Sequence, residues 1–423
     1  MPHVGGVKAL RASSIALGQW LVLGALVGLV CGVASAVFLL LLEVVTNVRV
    51  RDERFVYALP LAGLLIGAVY ERFGERIKAG NDLIIDTIHD DGPELPLRMA
   101  PMVLLGTVTA HLFGASVGRE GTAVQMGASL TDWLSHRLRL GPELRLQLLA
   151  AGVAGGFGSV FGTPIAGAVF GLEFIVLGRL KYDALVPALV AAVVGDLVTR
   201  ALGVTHAVYP VAPQVALTAL LVGKWVVFAV AVALVTAVFI ELVHFLKKHG
   251  QARIRRLPVR MFLGGVVVVG LWKAVGSSDF LGLGVPTILR AFEEPSLGVS
   301  VFALKLLFTA ICLGAGFPGG EVTPLFFVGA ALGSALAQVL GIPVVLGAGV
   351  GLAAVFAAAS NAPLALSIMA VELLGVGVFP HVAIVAVVAY VLTGHRGIYS
   401  SQRVVRLKSG RAVEPTSLQG HVE

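Results

Sequence analysis

The stretch "SVGREGTAVQMG", residues Ser116 to Gly127, decides how the rest of the chain is interpreted. It places Arg119 and Glu120 side by side between two long apolar segments, and a helix-like run follows them at once. Ionisable residues are costly inside a bilayer and usually belong to functional sites there. A glutamate flanked by glycines at this point therefore predicts a functional group, provided that the surrounding segments cross a membrane.

The composition indicates such a membrane protein. Hydrophobic residues make up 57% of the 423 positions and charged residues 13%, whereas ordinary soluble domains carry about 25% charged residues. Residues 12–42, 146–172 and 322–371 contain no Asp, Glu, Lys or Arg, and each window exceeds the roughly 20 residues that cross a bilayer. We expect an all-α polytopic membrane protein, because lipid requires the backbone to be hydrogen-bonded internally.

The positive charges predict the orientation. Basic residues cluster in short loops, above all at residues 247–260 and 403–411, and the positive-inside rule places both clusters in the cytoplasm. The net charge of +7 therefore requires no nucleic-acid partner, although the 247–260 cluster could also contact lipid headgroups. The first apolar segment is longer than a signal peptide's apolar core. We expect it to be retained, with both termini cytoplasmic and the chain in a bacterial inner membrane.

Glycine and proline predict an unusual helix pattern. The chain has 52 glycines, and Pro164, Pro324 and Pro363 fall inside apolar runs. Such residues break membrane helices, and the freed backbone is tolerated only where it is buried or lines a cavity. We therefore expect short, broken and re-entrant helices rather than a row of full spans.

The chain also repeats itself. "FGSVFGTPIAGAVFGLE" from Phe157 matches "FAAASNAPLALSIMAVE" from Phe356, and "GREGTAVQMGASL" from Gly118 resembles "GEVTPLFFVGAAL" from Gly320. Transporters often have two such halves, with the ion site at their interface. We expect a first membrane repeat over residues 1–205, a second over 206–406, and a short cytoplasmic tail over 407–423 without a regulatory domain. The sequence leaves open whether the repeats are inverted.

Four glycine-rich breaks, each followed by an apolar helix, predict an anion site. They begin at Ala79, Gly118, Gly314 and Gly394. A helix start offers unpaired backbone N–H groups and the positive end of the macrodipole. Several such starts that converge inside a membrane could bind an anion without a full positive charge.

The order of GREG, "FGTPIAG", "GFPGGEVTP", "NAPL" and a late tyrosine resembles the CLC superfamily of anion channels and anion/proton antiporters. The resemblance covers roughly residues 15 to 406. It implies the CLC fold of two inverted repeats, a central anion pathway in each subunit and a homodimer. It also implies that Glu120 is an external gate, whose carboxylate occupies an anion site and leaves it when protonated. The alternative is that Glu120 pairs with Arg119 and only caps a helix.

The departures from the common CLC pattern resemble the fluoride/proton antiporter branch. After Gly80 the chain has Asn81 in place of a serine, and it has Thr122 in place of the proline of GREGP. Glu321 and Thr323 stand where apolar residues are typical. Asp82 replaces an asparagine common in that branch, which leaves the polarity of the cytoplasmic entrance open.

The chemistry of fluoride favours the same interpretation. Fluoride is small and strongly hydrated, so its site needs many hydrogen-bond donors, which Asn81, Thr323 and a protonated Glu321 could supply. Glu321 is the only Asp, Glu, Lys or Arg between Leu306 and Val371, and so isolated an ionisable group is a functional candidate. The alternative for Glu321 is a helix cap with no role in transport.

The resemblance assigns further roles. Tyr399 aligns with the tyrosine of the central anion site. Phe174 stands where chloride/proton exchangers carry an inner glutamate, so either the protein is a passive channel or protons travel through Glu120 and Glu321. The fluoride branch lacks this glutamate too, which favours the second interpretation. We interpret Glu173 and its repeat counterpart Glu372 as structural.

We therefore predict a proton-coupled fluoride exporter in which Glu120 and Glu321 gate and transfer protons. Chloride would be a weaker substrate. We expect no cofactor, no metal and no enzymatic activity. The anion would contact Asn81, Thr323, Tyr399 and the helix-start amides near Gly121 and Val322, with support from Gly80, Asp82, Thr122 and Phe317. A passive CLC anion channel and a chloride/proton exchanger with atypical motifs remain as alternatives.

Overall fold

The computed structural model describes residues 6–89, 94–293 and 296–418, and these are mostly helical. The described residues form sixteen α-helices in chain order: α1 Gly6–Arg51, α2 Leu59–Phe73, α3 Asn81–His89, α4 Met99–Leu112, α5 Glu120–Arg137, α6 Pro142–Phe161, α7 Pro164–Glu173, α8 Leu185–Ala201, α9 Ala219–Arg253, α10 Leu257–Val275, α11 Val285–Arg290, α12 Val299–Ala315, α13 Val322–Leu340, α14 Val344–Ser360, α15 Pro363–Leu374 and α16 Phe379–Leu392. The all-α membrane fold is thereby confirmed.

The helices differ widely in length. Seven described helical segments are long and apolar enough to cross a membrane, whereas α7 has 10 residues and α15 has 12, well short of the roughly 20 needed. Proline occupies the first turn of both short helices, where its missing N–H is not required and its fixed φ favours a helix start. The prediction of broken helices from internal proline is confirmed.

A reciprocal pair of helix caps relates the two halves. The carboxylate of Glu372 accepts hydrogen bonds from the backbone N–H groups of Ile165 and Ala166 in the first turn of α7, at 3.0 and 2.8 Å. The carboxylate of Glu173 accepts two from the first turn of α15, at 3.1 and 2.7 Å. When i contacts j and j contacts i in the same way, the two parts are related by a local two-fold axis. The repeated glutamates are therefore structural: each satisfies helix-start donors of the other half.

A second reciprocal contact joins the starts of α5 and α13. Gly118 and Gly320 form an isolated antiparallel bridge, in which the N–H of each donates to the carbonyl oxygen of the other. The two segments therefore run in opposite directions where they meet. The antiparallel bridge and the exchanged caps agree with the inverted arrangement that the resemblance implies.

Glycines bring the helix backbones together in the same way in both halves. A Cβ on Gly127 of α5 would collide with the carbonyl oxygen of Gly152 in α6, and one on Gly329 of α13 would collide with that of Gly351 in α14. Small residues allow such close approach in membranes, where packing rather than hydrophobic burial drives helix association. The glycine content thus serves packing as well as helix breaks.

The end of the chain differs from the expected tail. Described residues Val176–Leu177 (β1), Arg403–Arg406 (β2) and Ala412–Ser417 (β3) form a three-stranded sheet in the order β1-β2-β3. The strand β2 is parallel to β1 and antiparallel to β3. Part of the segment predicted as a simple tail over 407–423 therefore forms β3, which pairs with β2 on the side away from β1. The last residues, 419–423, lie outside the described residues.

We predict that Gly329→Ala destabilises the protein while Gly270→Ala does not. Overpacking a tight contact costs typically about 1–3 kcal/mol, and the Gly351 carbonyl leaves no room for the added methyl group. Gly270 is the matched control, because it also lies in a helix and a Cβ there would meet nothing within 4 Å. Thermal unfolding of purified protein in detergent would measure both variants. Equal melting temperatures for the two would contradict the packing described for α13 and α14.

Candidate functional site

A cavity of about 970 Å³ lies where α3, α5, the loop before α13 and the loop after α16 meet. Seven of the eleven residues predicted for the site line it: Gly80, Asn81, Asp82, Thr122, Phe317, Glu321 and Tyr399. The other four, Glu120, Gly121, Val322 and Thr323, lie next to it around the Gly118–Gly320 bridge. The structure thus brings the predicted residues together from both halves of the chain.

The inner part of the site consists of three polar side chains from three segments. The Tyr399 hydroxyl is in polar contact with the Glu321 carboxyl and the Asn81 side chain, and all three residues are largely or fully buried. Among the described residues, no atom pairs with Glu321 Oε1 or Asn81 Oδ1. Buried polar atoms are seldom left unpaired, so this is a place where a ligand could contribute the missing contacts.

The Glu120 carboxylate lies at the start of α13 and is fully buried. Its Oε2 accepts a hydrogen bond from the backbone N–H of Thr323 at 3.1 Å. Its Oε1 accepts a second from the Thr323 hydroxyl. The carboxylate therefore already uses the donors at this helix start that the sequence analysis assigns to an anion.

The ion pair expected in the alternative interpretation is also present. Arg119 Nε lies 3.3 Å from Glu120 Oε1, and the Arg119 backbone N–H donates to Oε2 at 3.2 Å. The Arg119 side chain is 19% exposed whereas that of Glu120 is 0% exposed. Glu120 is therefore paired with arginine and bound to the opposite half at the same time, so a local cap does not describe it fully.

Glycine is required around Glu120 for steric reasons. A Cβ on Gly118 would lie 2.8 Å from the Gly320 carbonyl oxygen and 3.0 Å from Glu120 Oε2. A Cβ on Gly121 would lie 3.0 Å from the Gly320 Cα. The glycines of GREG and of "PGGE" thus allow two backbones to touch beside a carboxylate, as the structure of this segment requires.

Phe174 places an aromatic ring where chloride/proton exchangers of the resembled family carry an inner glutamate. Phe174 is fully buried, stacks on Phe170 with centroids 5.0 Å apart, and meets the Tyr399 ring edge to face at 5.7 Å. Gln402 holds this contact, because its Nε2 donates to the carbonyl oxygens of Phe174 and Ser360 at 2.6 and 2.8 Å. The side chain behind Tyr399 is therefore apolar and offers no proton-accepting group.

Several contributors were not found from the sequence. Gln125 lines the cavity, and its Nε2 lies 3.3 Å from the place of a Cβ on Gly80. Thr122 bonds through its hydroxyl to that of Thr107 at 2.7 Å. Gln125 lies three residues after Thr122 in α5, so helical spacing gives a weak signal for it. The Thr107 contact has no comparable signal, because Thr107 lies on another helix.

Basic side chains outnumber acidic ones in the lining of the cavity. Five Lys and Arg side chains line it: Lys78, Lys247, Lys248, Arg260 and Arg396. The basic cluster over residues 247–260 therefore contributes at least three side chains to the cavity wall. It is thus part of the site as well as an indicator of membrane orientation. Positive charge in a concave site raises the local concentration of anions.

Comparisons with known proteins agree with this arrangement. The family model described as "Voltage gated chloride channel" matches residues 62–394. A protein of Pseudomonas syringae pv. tomato named "Chloride/fluoride channel protein" is 46% identical over 407 residues, which cover 93% of this chain and 88% of the relative.

Solved structures share the fold. A crystal structure of a CLC-type fluoride/proton antiporter is 31% identical with a TM-score of 0.89, and the match covers 92% of this chain and 98% of that one. A slow cyanobacterial Cl⁻/H⁺ antiporter matches with a TM-score of 0.78 at 19% identity, over 89% of this chain and 94% of that one, which shows a common fold alone. On the family match and the 46% identical relative, the chain belongs to the voltage-gated chloride channel (CLC) family.

Proposed function

We propose that this protein exports fluoride from the cytoplasm in exchange for protons. One observation carries the proposal: the Glu120 carboxylate accepts hydrogen bonds from the backbone N–H and the hydroxyl of Thr323. This contact lies directly beside the cavity that Glu321 and Tyr399 line. A carboxylate that uses the anion's own donors competes with the anion, so its protonation state controls anion entry. The similarity to a fluoride/proton antiporter at 31% identity and to a chloride/fluoride channel protein at 46% supports fluoride as the anion.

The first step follows from the charge of Glu120. When Glu120 is ionised, it accepts from Thr323 and keeps the start of α13 occupied. A proton removes the charge that the helix dipole and these donors stabilise. The neutral side chain then leaves, and fluoride takes the backbone and hydroxyl donors of Thr323. One negative charge replaces another at the same helix start.

The inner residues complete the coordination of fluoride. Tyr399 offers an O–H and Asn81 an N–H₂ group. An ionised Glu321 would repel the anion, and its unpartnered buried oxygen would incur a large desolvation cost. A protonated Glu321 instead carries an O–H that can donate to fluoride. Its proton would therefore accompany the anion through this part of the pathway.

We further propose how the protein is organised around this pathway. Each subunit of a homodimer in the bacterial inner membrane would contain one pathway between the halves 1–205 and 206–406, with both termini in the cytoplasm. The loop over residues 202–218, which connects α8 and α9, contains the boundary. The basic side chains in the cavity lining fit a cytoplasmic entrance for anions.

A passive anion channel is the second candidate, and Phe174 favours it. The buried aromatic ring at this position removes the inner proton-accepting group that chloride/proton exchangers of the resembled family use. Glu321 argues against a channel, because an open anion pore gains nothing from a buried acid beside its anion. Transport against a gradient separates the two candidates, since a channel moves anions only downhill.

The proposed function predicts uphill transport of fluoride. Proteoliposomes with equal internal and external fluoride should move fluoride when a pH gradient is imposed, because proton influx supplies the free energy. A fluoride electrode would record the flux, and the same vesicles loaded with chloride would give the selectivity. Fluoride that moves only down its own gradient would establish the channel instead.

Glu120→Gln should abolish uphill fluoride transport. Glutamine keeps the shape and polar contacts but cannot alternate between charged and neutral forms, so proton flow and anion flow separate. Glu143→Gln is a matched control, because Glu143 is an exposed acid in the first turn of α6. Uphill transport by the Glu120 variant at the wild-type rate would show that another group couples the proton.

Glu321→Gln and Glu321→Ala should differ in their affinity for fluoride. Glutamine retains a donor, so fluoride should still bind, whereas alanine removes one hydrogen bond to an anion, worth about 1.5–3 kcal/mol, and should raise the Kd more than tenfold. Both variants should lose proton coupling. Fluoride binding by calorimetry and transport under a pH gradient would measure the two effects. Wild-type behaviour of the alanine variant would instead favour a helix cap without a transport role.

A further inference from the structure

Asp82 connects two segments of the inner site that are far apart in sequence. It is the second residue of α3, directly after Asn81. Its Oδ2 accepts a hydrogen bond from the Ser400 hydroxyl at 2.7 Å, and its Oδ1 accepts one from the Ser401 backbone N–H at 3.0 Å. Ser400 directly follows Tyr399. The carboxylate thus links the segment that carries Asn81 to the loop that carries Tyr399.

This loop is also held on its other side. Gln402 donates to Phe174 and Ser360, as described above, and accepts from Asn361 Nδ2 at 2.9 Å. A second hydrogen bond connects the loop to α3, because the Ser401 hydroxyl donates to Asp86 Oδ2 at 3.1 Å. The position of Tyr399 is therefore set between Gln402 on one side and α3 on the other.

The two oxygens of Asp82 are used in this contact rather than directed at an anion. A free carboxylate at the cytoplasmic mouth would repel anions, but here each oxygen accepts a hydrogen bond from the 400–401 segment. The start of α3 further stabilises a negative charge in its first turn. Asparagine could make both contacts, with its oxygen accepting from Ser401 and its amide donating to the Ser400 hydroxyl.

We propose that Asp82 is a positioning residue that holds Tyr399 against Asn81 and Glu321, and that it acts through its hydrogen bonds rather than its charge. The proposal rests on the proposed function, because it assumes that these three side chains contact fluoride. Sites of this kind need their groups held within about 0.5 Å by supporting hydrogen bonds. A small anion that needs several donors at once is sensitive to the loss of such support.

Four variants test the role of Asp82. Asp82→Ala removes both hydrogen bonds, Asp82→Asn keeps them without the charge, and Ser400→Ala removes one of them. Glu75→Ala is the charge-matched control, since Glu75 is an exposed acid shortly before α3. Two quantities would be measured for each: the KM and kcat for fluoride in proteoliposomes, and the hydrogen–deuterium exchange of the peptide that contains the Ser401 amide.

For Asp82→Ala we expect the fluoride KM to rise about tenfold, the equivalent of two lost hydrogen bonds, with faster exchange at the Ser401 amide. Asp82→Asn should restore both to within about twofold of wild type, and Ser400→Ala should lie between them. If Asp82→Ala does not fold, Ser400→Ala carries the test, and a wild-type KM for it would overturn the proposal.

Two other outcomes would also overturn the positioning role. An Asp82→Asn variant as impaired as Asp82→Ala would assign the effect to charge. Unchanged exchange at the Ser401 amide in Asp82→Ala would show that the contact does not fix the loop. The proposed function fails separately: if the wild-type protein moves no fluoride, the exchange measurement still decides whether Asp82 fixes the loop.

Discussion

The structure depends on one constraint, which is that a helix that starts inside a bilayer has no water to pair its first N–H groups. In this chain, glutamate carboxylates accept hydrogen bonds from such N–H groups. Glu372 caps α7 and Glu173 caps α15, each from the opposite half, and Glu120 of the first half binds the start of α13 in the second. The first two are permanent parts of the fold. The third has the same physical basis, but in the proposed function a protonation step releases it.

The site lies where the internal symmetry fails. The backbone bridge between Gly118 and Gly320 treats the two halves alike, yet the residues after it differ. Arg119 and Glu120 follow the first glycine, whereas Glu321 and Val322 follow the second. The symmetric backbone therefore carries an asymmetric set of charges. Only one half supplies the carboxylate that crosses the bridge, and the other supplies an acid, Glu321, that faces the cavity.

Much of this arrangement could be predicted from the sequence, because it follows from local chemistry. Pro164 and Pro363 indicated short helices, and the acidic residues Glu120 and Glu321 between apolar segments indicated a site within the membrane. The direction of the repeats could not be predicted from self-similarity, since parallel and inverted copies give the same matches. Contacts such as that of Asp82 with Ser400 span most of the chain and leave no periodic signal. The strand β2 was missed because it pairs with β1, more than 200 residues away, and β3 in turn pairs with β2.

The apolar surroundings of Tyr399 bear on how two ions could be coupled in one pathway. Phe174 packs against the Tyr399 ring, and Gln402 is fully engaged with backbone and amide groups. The side chains of Phe174 and Gln402 carry no titratable group, whereas Glu321 lies in the cavity wall and Glu120 at the adjacent helix start. Proton and anion would then use the same few ångströms of the pathway. In the proposed function, Glu120 and fluoride compete for the donors of Thr323, so a proton that neutralises Glu120 would open the place for the anion. Under this arrangement the coupling requires no separate proton route. Ionised Glu120 and fluoride would exclude each other from the start of α13, and this exclusion would link proton movement to fluoride movement.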